Sequence, residues 1–457
     1  MLNYNSEEIR SSITKFEQML KTNHTYFFDA QEFEDIVVHY LGFGDHQLAK
    51  SALKIGMEQH PSNLELILLQ SEVFILDEKF DLAIDLLDYV ENILPQNEEI
   101  ALQKATISSK KGNHKDSIEL LHIALERSED PFEIWNLLGM EHLLAEEYEQ
   151  AEYFFKNCLT DNPEDYPSLY NLLYCYEQLN KDEEAIKSLN EVLQSDPFSE
   201  IAWHQLGKVL SKVGKIKEAL SAYDFAIISD DTFTGAYIEK GKILESIGRI
   251  NEAIENYEVA LNTTDPSAFV FQRIGKCHEK LDNSRLALQF YLKSINAEPS
   301  NEKSWESLIN FYIQQKNLDK AKHYLTNALE VNNDSIRIWT KSIDLYDKLN
   351  DKEKTIESYQ KIIELGVFDI RLIKKYIDLL ISCNNWSKAY EIAKKGLEYF
   401  PENNDLKLRI GGCCINLNRK KEGFRYLNLH SISLNNIKTV LHLFPDLKKI
   451  TLKNSKN

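Results

Sequence analysis

Proline and glycine are scarce in this chain, with 10 and 16 residues respectively among 457. So few breakers exclude a fold built from many short strands and tight turns and favour long helices. Cysteine is sparser still: the six residues (158, 175, 277, 383, 413, 414) form no CxxC pair, and only Cys413 and Cys414 are adjacent. That excludes a disulfide framework, and free thiols in a reducing cytoplasm account for all six. No window approaches 18 uninterrupted apolar residues, so no membrane span is expected. The opening MLNYNSEEIR has no basic segment leading into an apolar one, so no secretory signal is read there and the expected location is cytoplasmic.

Catalytic signatures are missing as well. There is no HExxH, no metal-spaced cluster of Cys and His, and no Ser-His-Asp context, and no cofactor is implied. The stretch GKVLSKVGK (207–215) imitates a phosphate loop, but six residues separate its glycines and Ile216 follows Lys215. A working loop has a shorter spacing and a magnesium-binding Ser or Thr after the lysine.

What the chain has is charge, unevenly placed. The net charge is −19, and 43% of residues are hydrophobic, so disorder is excluded by composition. Residues 1–200 carry 14 Lys and Arg against 40 Asp and Glu, a net of −26. Subtraction from the whole-chain counts of 53 and 72 leaves 39 against 32 in residues 201–457, a net of +7.

It also has a repeat. KEALSAYDFAI (217–227), NEAIENYEVAL (251–261) and RLALQFYLKSI (285–295) align at an offset of 34. Stepping both ways from the small residue in each reaches Ala49, Ala83, Ser117, Ala151, Ala185, Ala219, Ala253, Ala287, Ala321, Thr355, Ala389 and Gly423 without an insertion. Sixteen residues earlier most units place a large apolar side chain, such as Phe33, Trp135, Trp203 or Trp305. Four residues later comes a bulky one, such as Phe155, Tyr223, Tyr257 or Tyr291. Apolar spacing inside a unit is helical, as in Trp203, Leu206, Gly207 and Leu210, so each unit reads as two amphipathic helices.

This pattern resembles the tetratricopeptide repeat, a 34-residue helix–turn–helix unit. With the small residue at position 20, units begin at Ala30, Leu64, Glu98, Phe132, Tyr166, Glu200, Thr234, Ala268, Glu302, Ile336, Ile370 and Asn404. The expected fold is an all-α, right-handed superhelical solenoid. Residues 1–29 form an N-terminal capping helix, 30–437 twelve tandem units, and 438–457 a C-terminal capping helix and basic tail. Six units carry proline at position 32 (Pro61, Pro95, Pro163, Pro197, Pro299, Pro401), which stops the second helix. Gly207 falls at position 8, where the two helices approach, and Gly214 at position 15, a turn that needs positive φ. Bulk at position 8 in other units (Leu173, Ile309, Ile343, Ile377) calls for wider or compensated packing.

At the first end, SEEIRSSITKFEQMLKT (6–22) reads as a helix capped by Ser6 with Ile9, Ile13, Phe16 and Leu20 inward. At the other, NNIKTVLHLF (435–444) reads as a closing helix. Little chain is left for a catalytic domain, so the protein is read as not an enzyme. His142 and His278 fall on a core column, and the carboxylates at 77, 81, 85 and 88 follow a solvated helix face.

The resemblance implies that first helices line a concave groove, with positions 2, 5, 6, 9, 12 and 13 facing it. Position 9 holds Lys208, Lys242 and Lys276; position 6 holds Arg273, Lys341, Lys375 and Arg409; position 2 holds Lys303, Arg337 and Arg371. The expectation is a basic lining over the second half that receives an acidic peptide, a terminal carboxylate or a phosphorylated segment of a protein partner. The first units read oppositely, with Asp35, Glu65, Glu72, Glu99 and Glu133 in the same columns. The family's chaperone-binding carboxylate clamp is not matched, since Asn310 has Glu306 where the clamp lysine belongs. The alternatives are a helical-repeat nucleic-acid binder, which the net charge of −19 opposes, and a self-associating assembly factor.

Overall fold

A computed structural model describes residues 6–22, 26–263, 267–427 and 443–444, with side chains from Ile9 onward. The Ser6 side chain, most of the expected closing helix and the basic tail lie outside the described residues. Within them there are 25 α-helices and no strand.

After α1 (Ser6–Thr22) the helices come in pairs. The first of each pair are α2 (Ala30–Gly42), α4 (Leu64–Leu76), α6 (Glu98–Lys110), α8 (Phe132–Leu144), α10 (Tyr166–Gln178), α12 (Glu200–Lys212), α14 (Thr234–Ser246), α16 (Ala268–Lys280), α18 (Glu302–Gln314), α20 (Ile336–Lys348), α22 (Ile370–Ser382) and α24 (Asn404–Asn416). Their partners are α3 (His46–Gln59), α5 (Phe80–Glu91), α7 (His114–Arg127), α9 (Tyr148–Asp161), α11 (Asp182–Ser195), α13 (Ile216–Ser229), α15 (Ile250–Thr263), α17 (Ser284–Ala297), α19 (Leu318–Val331), α21 (Lys352–Glu364), α23 (Trp386–Tyr399) and α25 (Lys420–Leu427). Each first helix starts at position 1. The chain forms two compact units, 1–231 and 232–457.

Local chemistry explains the boundaries. Ten of the twelve residues preceding the first helices are Asp, Asn or Ser, the side chains that best accept from an orphan helix N–H. Asn63, Ser199, Ser335 and Asn403 do so, each to the N–H three residues on. Each first helix ends at position 15 with a left-handed residue. Gly214 shares this conformation with Gly44, Gly112, Gly248, Asn180, Asn350, Asn384 and Asn418, and with Glu78, Glu146, Asp282 and Lys316 at φ of 56–60°. The geometry closes a Schellman-type turn: Lys215 N–H donates to the Leu210 carbonyl at 2.9 Å and Gly214 N–H to Ser211 at 3.1 Å. A side chain in this region costs roughly 1–2 kcal/mol, and glycine gives back part of that gain as entropy. Glu146→Gly and Lys316→Gly should therefore each stabilise the chain by roughly 0.5–1 kcal/mol, read as a higher urea midpoint, while Gly214→Ala lowers it.

The core follows the columns. The position-20 residues are buried, from Ala49 at 0% exposure to Gly423. Indole N–H groups at position 4 donate to a carbonyl closing the preceding unit: Trp203 to Pro197 (2.9 Å), Trp305 to Pro299 (2.8 Å) and Trp339 to Asn333 (2.7 Å). Position 8 sets hairpin spacing. At Gly139, Gly207, Gly241 and Gly275 an added Cβ would sit 2.6–2.8 Å from Phe155, Tyr223, Tyr257 and Tyr291, the rings sixteen residues on. Where position 8 is bulky, that partner usually shrinks: Leu189 follows Leu173, Leu325 follows Ile309, and Ala393 follows Ile377. The exception keeps Ile343 with Tyr359, whose ring stacks on Tyr376 at 5.3 Å. The packing is compensated in side-chain volume.

One expectation is corrected at the first helix. Phe16 is fully buried, but Leu20 is 42% exposed and Met19 takes the inner place at 5%. Met19 also receives the Tyr26 N–H on its sulfur. Successive helical residues point about 100° apart, so a one-residue difference exchanges face for face.

Candidate functional site

In two runs of three the first helices touch one another directly, α2–α4–α6 in the first unit and α16–α18–α20 in the second, and α22 also touches α24. Such contact brings their exposed columns onto one continuous face. In each run of three that face is hollowed.

A pocket of about 710 Å³ opens on α16, α18 and α20. Arg273, Lys276, Lys303 and Arg337, four of the ten sequence-selected residues, line it together. Two of the four are already held by carboxylates. Glu245, only 6% exposed on α14, is paired with Arg273 and with Lys280 at 2.9 Å. The Tyr257 hydroxyl joins this network, donating to Glu245 at 3.3 Å and receiving the Arg273 Nε–H at 3.3 Å. Arg337 pairs with Glu306 at 2.9 Å and reaches Glu302 at 3.7 Å.

Lys276 and Lys303 are different: neither has a carboxylate oxygen within 4.0 Å among the described residues. Burial holds the Lys276 ammonium below the usual lysine range, and the charge of Arg273 pushes the same way. Lys303 is exposed at the rim. Its backbone carbonyl receives the Gln272 amide at 2.7 Å, and the same amide donates to Ser307 at 2.7 Å, which ties α16 to α18 beneath the pocket.

The other six residues are dispersed. Lys341 is half-buried beside the pocket, 3.8 Å from Glu306 and 3.5 Å from Asp344. Lys242 pairs with Glu239 at 2.7 Å and lies 5.2 Å from the Phe269 ring centre. Lys208 is exposed in the first unit, in a smaller hollow of about 390 Å³ beside Tyr170 and Tyr174. Arg371 and Lys375 are exposed on α22, away from the pocket lining. Arg409 is 6% exposed and locked to Asp378 by two bonds of 2.7 and 2.9 Å, with a third to the Asp405 carbonyl at 3.2 Å. Its guanidinium is packing material between α22 and α24.

Column reading did not select Glu245, Gln272 or Ser307. A usable signal is spacing near one repeat: Arg273 lies 28 residues after Glu245, Arg337 and Arg409 each 31 after their acids. Charges that far apart in register face each other across neighbouring units. The histidines are core residues as expected, His142 stacked on Phe154 and His278 on Phe290, each with ring centres 5.5 Å apart. The Cys413 and Cys414 thiols are fully buried, and burial pushes them up to about 12 and about 11, so they are inert.

Tandem helical pairs with one hollowed face of exposed columns define a helical-repeat protein of the interaction-scaffold kind. Models of the tetratricopeptide repeat match residues 142–208 and, for a second model, 234–263 and 307–335. The chain carries tetratricopeptide repeats, and these repeats support a protein-interaction scaffold. Solved structures similar to it include YrrB, described as a TPR protein with an unusual peptide-binding site (20% identity over 41% of this chain and 96% of that one, TM-score 0.31). Others are Naa15/Naa10 bound to HypK-THB (13%, 91% and 70%, TM-score 0.38) and the human IFIT1 dimer with m7Gppp-AAAA (17%, 93% and 95%, TM-score 0.36). Identities this low say nothing about a ligand of this chain. Among the described residues no helix is long and apolar enough to cross a membrane.

Proposed function

We propose that the α16–α18–α20 face grips an extended segment of a partner protein by an anionic group, whether an acidic side chain, a phosphorylated residue or a terminal carboxylate. The protein holds that partner without catalysis and without a cofactor, in the cytoplasm. The observation that carries this reading is the pair Lys276 and Lys303, two cations in one hollow with no carboxylate within 4.0 Å among the described residues, flanked by Arg273 and Arg337. An anion there would relieve the repulsion between Lys276 and Arg273 and gain charge-assisted bonds. A polyanion such as nucleic acid fits less well, because the whole chain carries −19.

Fluorescence anisotropy with a labelled glutamate-rich peptide ending in a free carboxylate tests this. The Lys276→Glu, Lys303→Glu double variant should bind at least about tenfold more weakly, about 1.4 kcal/mol, and added salt should weaken wild-type binding. Equal binding by the variant, or by a neutral amidated peptide, would sink the proposal.

A further inference from the structure

The first unit has a hollow of the opposite sign. About 690 Å³ in volume, it lies across α2, α4 and α6, which touch one another directly. Its walls carry Glu34 from α2, Glu65 and Glu72 from α4, and Glu99 from α6. Between them are Val38, 55% exposed, and half-buried Leu69. None of these four carboxylates has a Lys, Arg or His nitrogen within 4.0 Å among the described residues. Their protein partners there are neutral amides, Asn63 to Glu34 at 3.4 Å and Gln103 to Glu99 at 2.9 Å.

The contrast with neighbouring carboxylates is informative. On other faces of the same unit Asp77 is paired with Lys50 and Lys79, Glu91 with Lys104, and Glu152 with Lys156 and Lys181. Lysines are few in this half, and they are spent elsewhere. In the hollow the acids repel instead. Burial is the main cause that holds Glu34 and Glu72 above the usual carboxylate range, with Glu65 and Asp35 adding to the first and Glu99 to the second. Glu99 is pushed the same way, first by burial and then by Glu133, Glu98 and Glu65, although much of its side chain still reaches water. Unopposed charge on a hollow with an exposed valine in it does nothing for folding. A ligand bringing positive charge would lower its energy.

A point cation does not fit. The acids are spread over three helices, and among the described residues no three His, Cys, Asp or Glu are grouped to hold a metal ion. Three helices packed at the usual 8–10 Å span roughly 20 Å, the length of about six extended residues.

We propose that the α2–α4–α6 face is a second docking surface, for an extended lysine- or arginine-bearing segment of a partner protein. Its cations sit among Glu34, Glu65, Glu72 and Glu99, and its apolar side chains rest on Val38 and Leu69. The chain then presents two surfaces of opposite sign, one in each compact unit, able to hold different segments.

The test uses the full chain and a labelled peptide of sequence LKKITLKNSKN, identical to residues 447–457, which carries four lysines and three apolar residues. Anisotropy at low salt should show binding that falls as salt rises. The Glu72→Gln, Glu99→Gln double variant should lose at least tenfold in affinity, and it keeps its fold because repulsion is removed while the glutamine oxygen at 99 can still accept from Gln103. The Lys276→Glu, Lys303→Glu variant should bind as wild type, so this surface and the basic pocket fail or succeed separately. No binding, unchanged binding by the glutamine variant, or equal binding of a peptide with every lysine replaced by glutamine would each overturn the proposal. If a chain ending at residue 446 bound the peptide tenfold tighter, the occupant would be the chain's own tail and the partner assignment would fall.

Discussion

Gly139→Leu is expected to destabilise the chain by about 3 kcal/mol, near the top of the range for overpacking a core. Even a bare Cβ at this residue would lie 2.7 Å from the Phe155 ring. The ring has no room to yield, being fully buried in one cluster with Ala151, Leu172 and Tyr176. The informative variant is the double one. Leu173 with Leu189 shows that a hairpin of this family closes over leucine at both places. Gly139→Leu with Phe155→Leu should therefore recover a large part of the loss, giving a coupling energy of about 1–3 kcal/mol in a double-mutant cycle. Urea unfolding, with hydrogen exchange on α8 and α9, would measure it, because a repeat array need not unfold as one unit. Additive losses in the double variant would show that hairpin spacing is set by something other than this pair.

Sequence periodicity carried the architecture because the 34-residue step is never broken. Every first helix begins where the small-residue column places position 1, and glycine at positions 8 and 15 marks close approach and positive φ. Four left-handed residues escaped because Glu78, Glu146, Asp282 and Lys316 give no compositional hint. Their conformation is imposed by the turn around them, at a local cost. The site was legible to the level of a face. Column reading says that Lys276, Lys303 and Arg409 sit on first helices at outward columns, but it does not say which acid each one meets. Among the described residues Lys276 has no carboxylate within 4.0 Å while Arg409 is buried against Asp378, and the difference is made by acids about one repeat away in sequence. The acidic hollow was visible as charge in the columns at Asp35, Glu65, Glu72 and Glu99. Its depth and its exposed Val38 are properties of three helices in contact, and no single helix displays them.

The difference between a groove cation and a structural one leads to the other large effect. Asp378→Ala should destabilise the second unit by about 2–3 kcal/mol, the cost of removing a half-exposed carboxylate from a buried guanidinium. Arg409 has its side chain 7% exposed, and with Asp378 gone the Asp405 carbonyl at 3.2 Å would be its one remaining partner among the described residues. Leaving a guanidinium buried and nearly unpartnered carries most of that penalty. Arg371→Ala and Lys375→Ala, on the same helix but exposed, should stay within about 0.5 kcal/mol of wild type. Arg409→Met with Asp378→Leu should lose far less than either single change, since a volume-matched apolar pair has no charge to desolvate. Thermal and urea unfolding would order the variants, and binding of the glutamate-rich peptide should follow none of them once the protein is folded. Should Arg409→Met abolish peptide binding while leaving stability unchanged, Arg409 would belong to the ligand face after all, and the basic surface would extend from the α16–α18–α20 pocket toward α24.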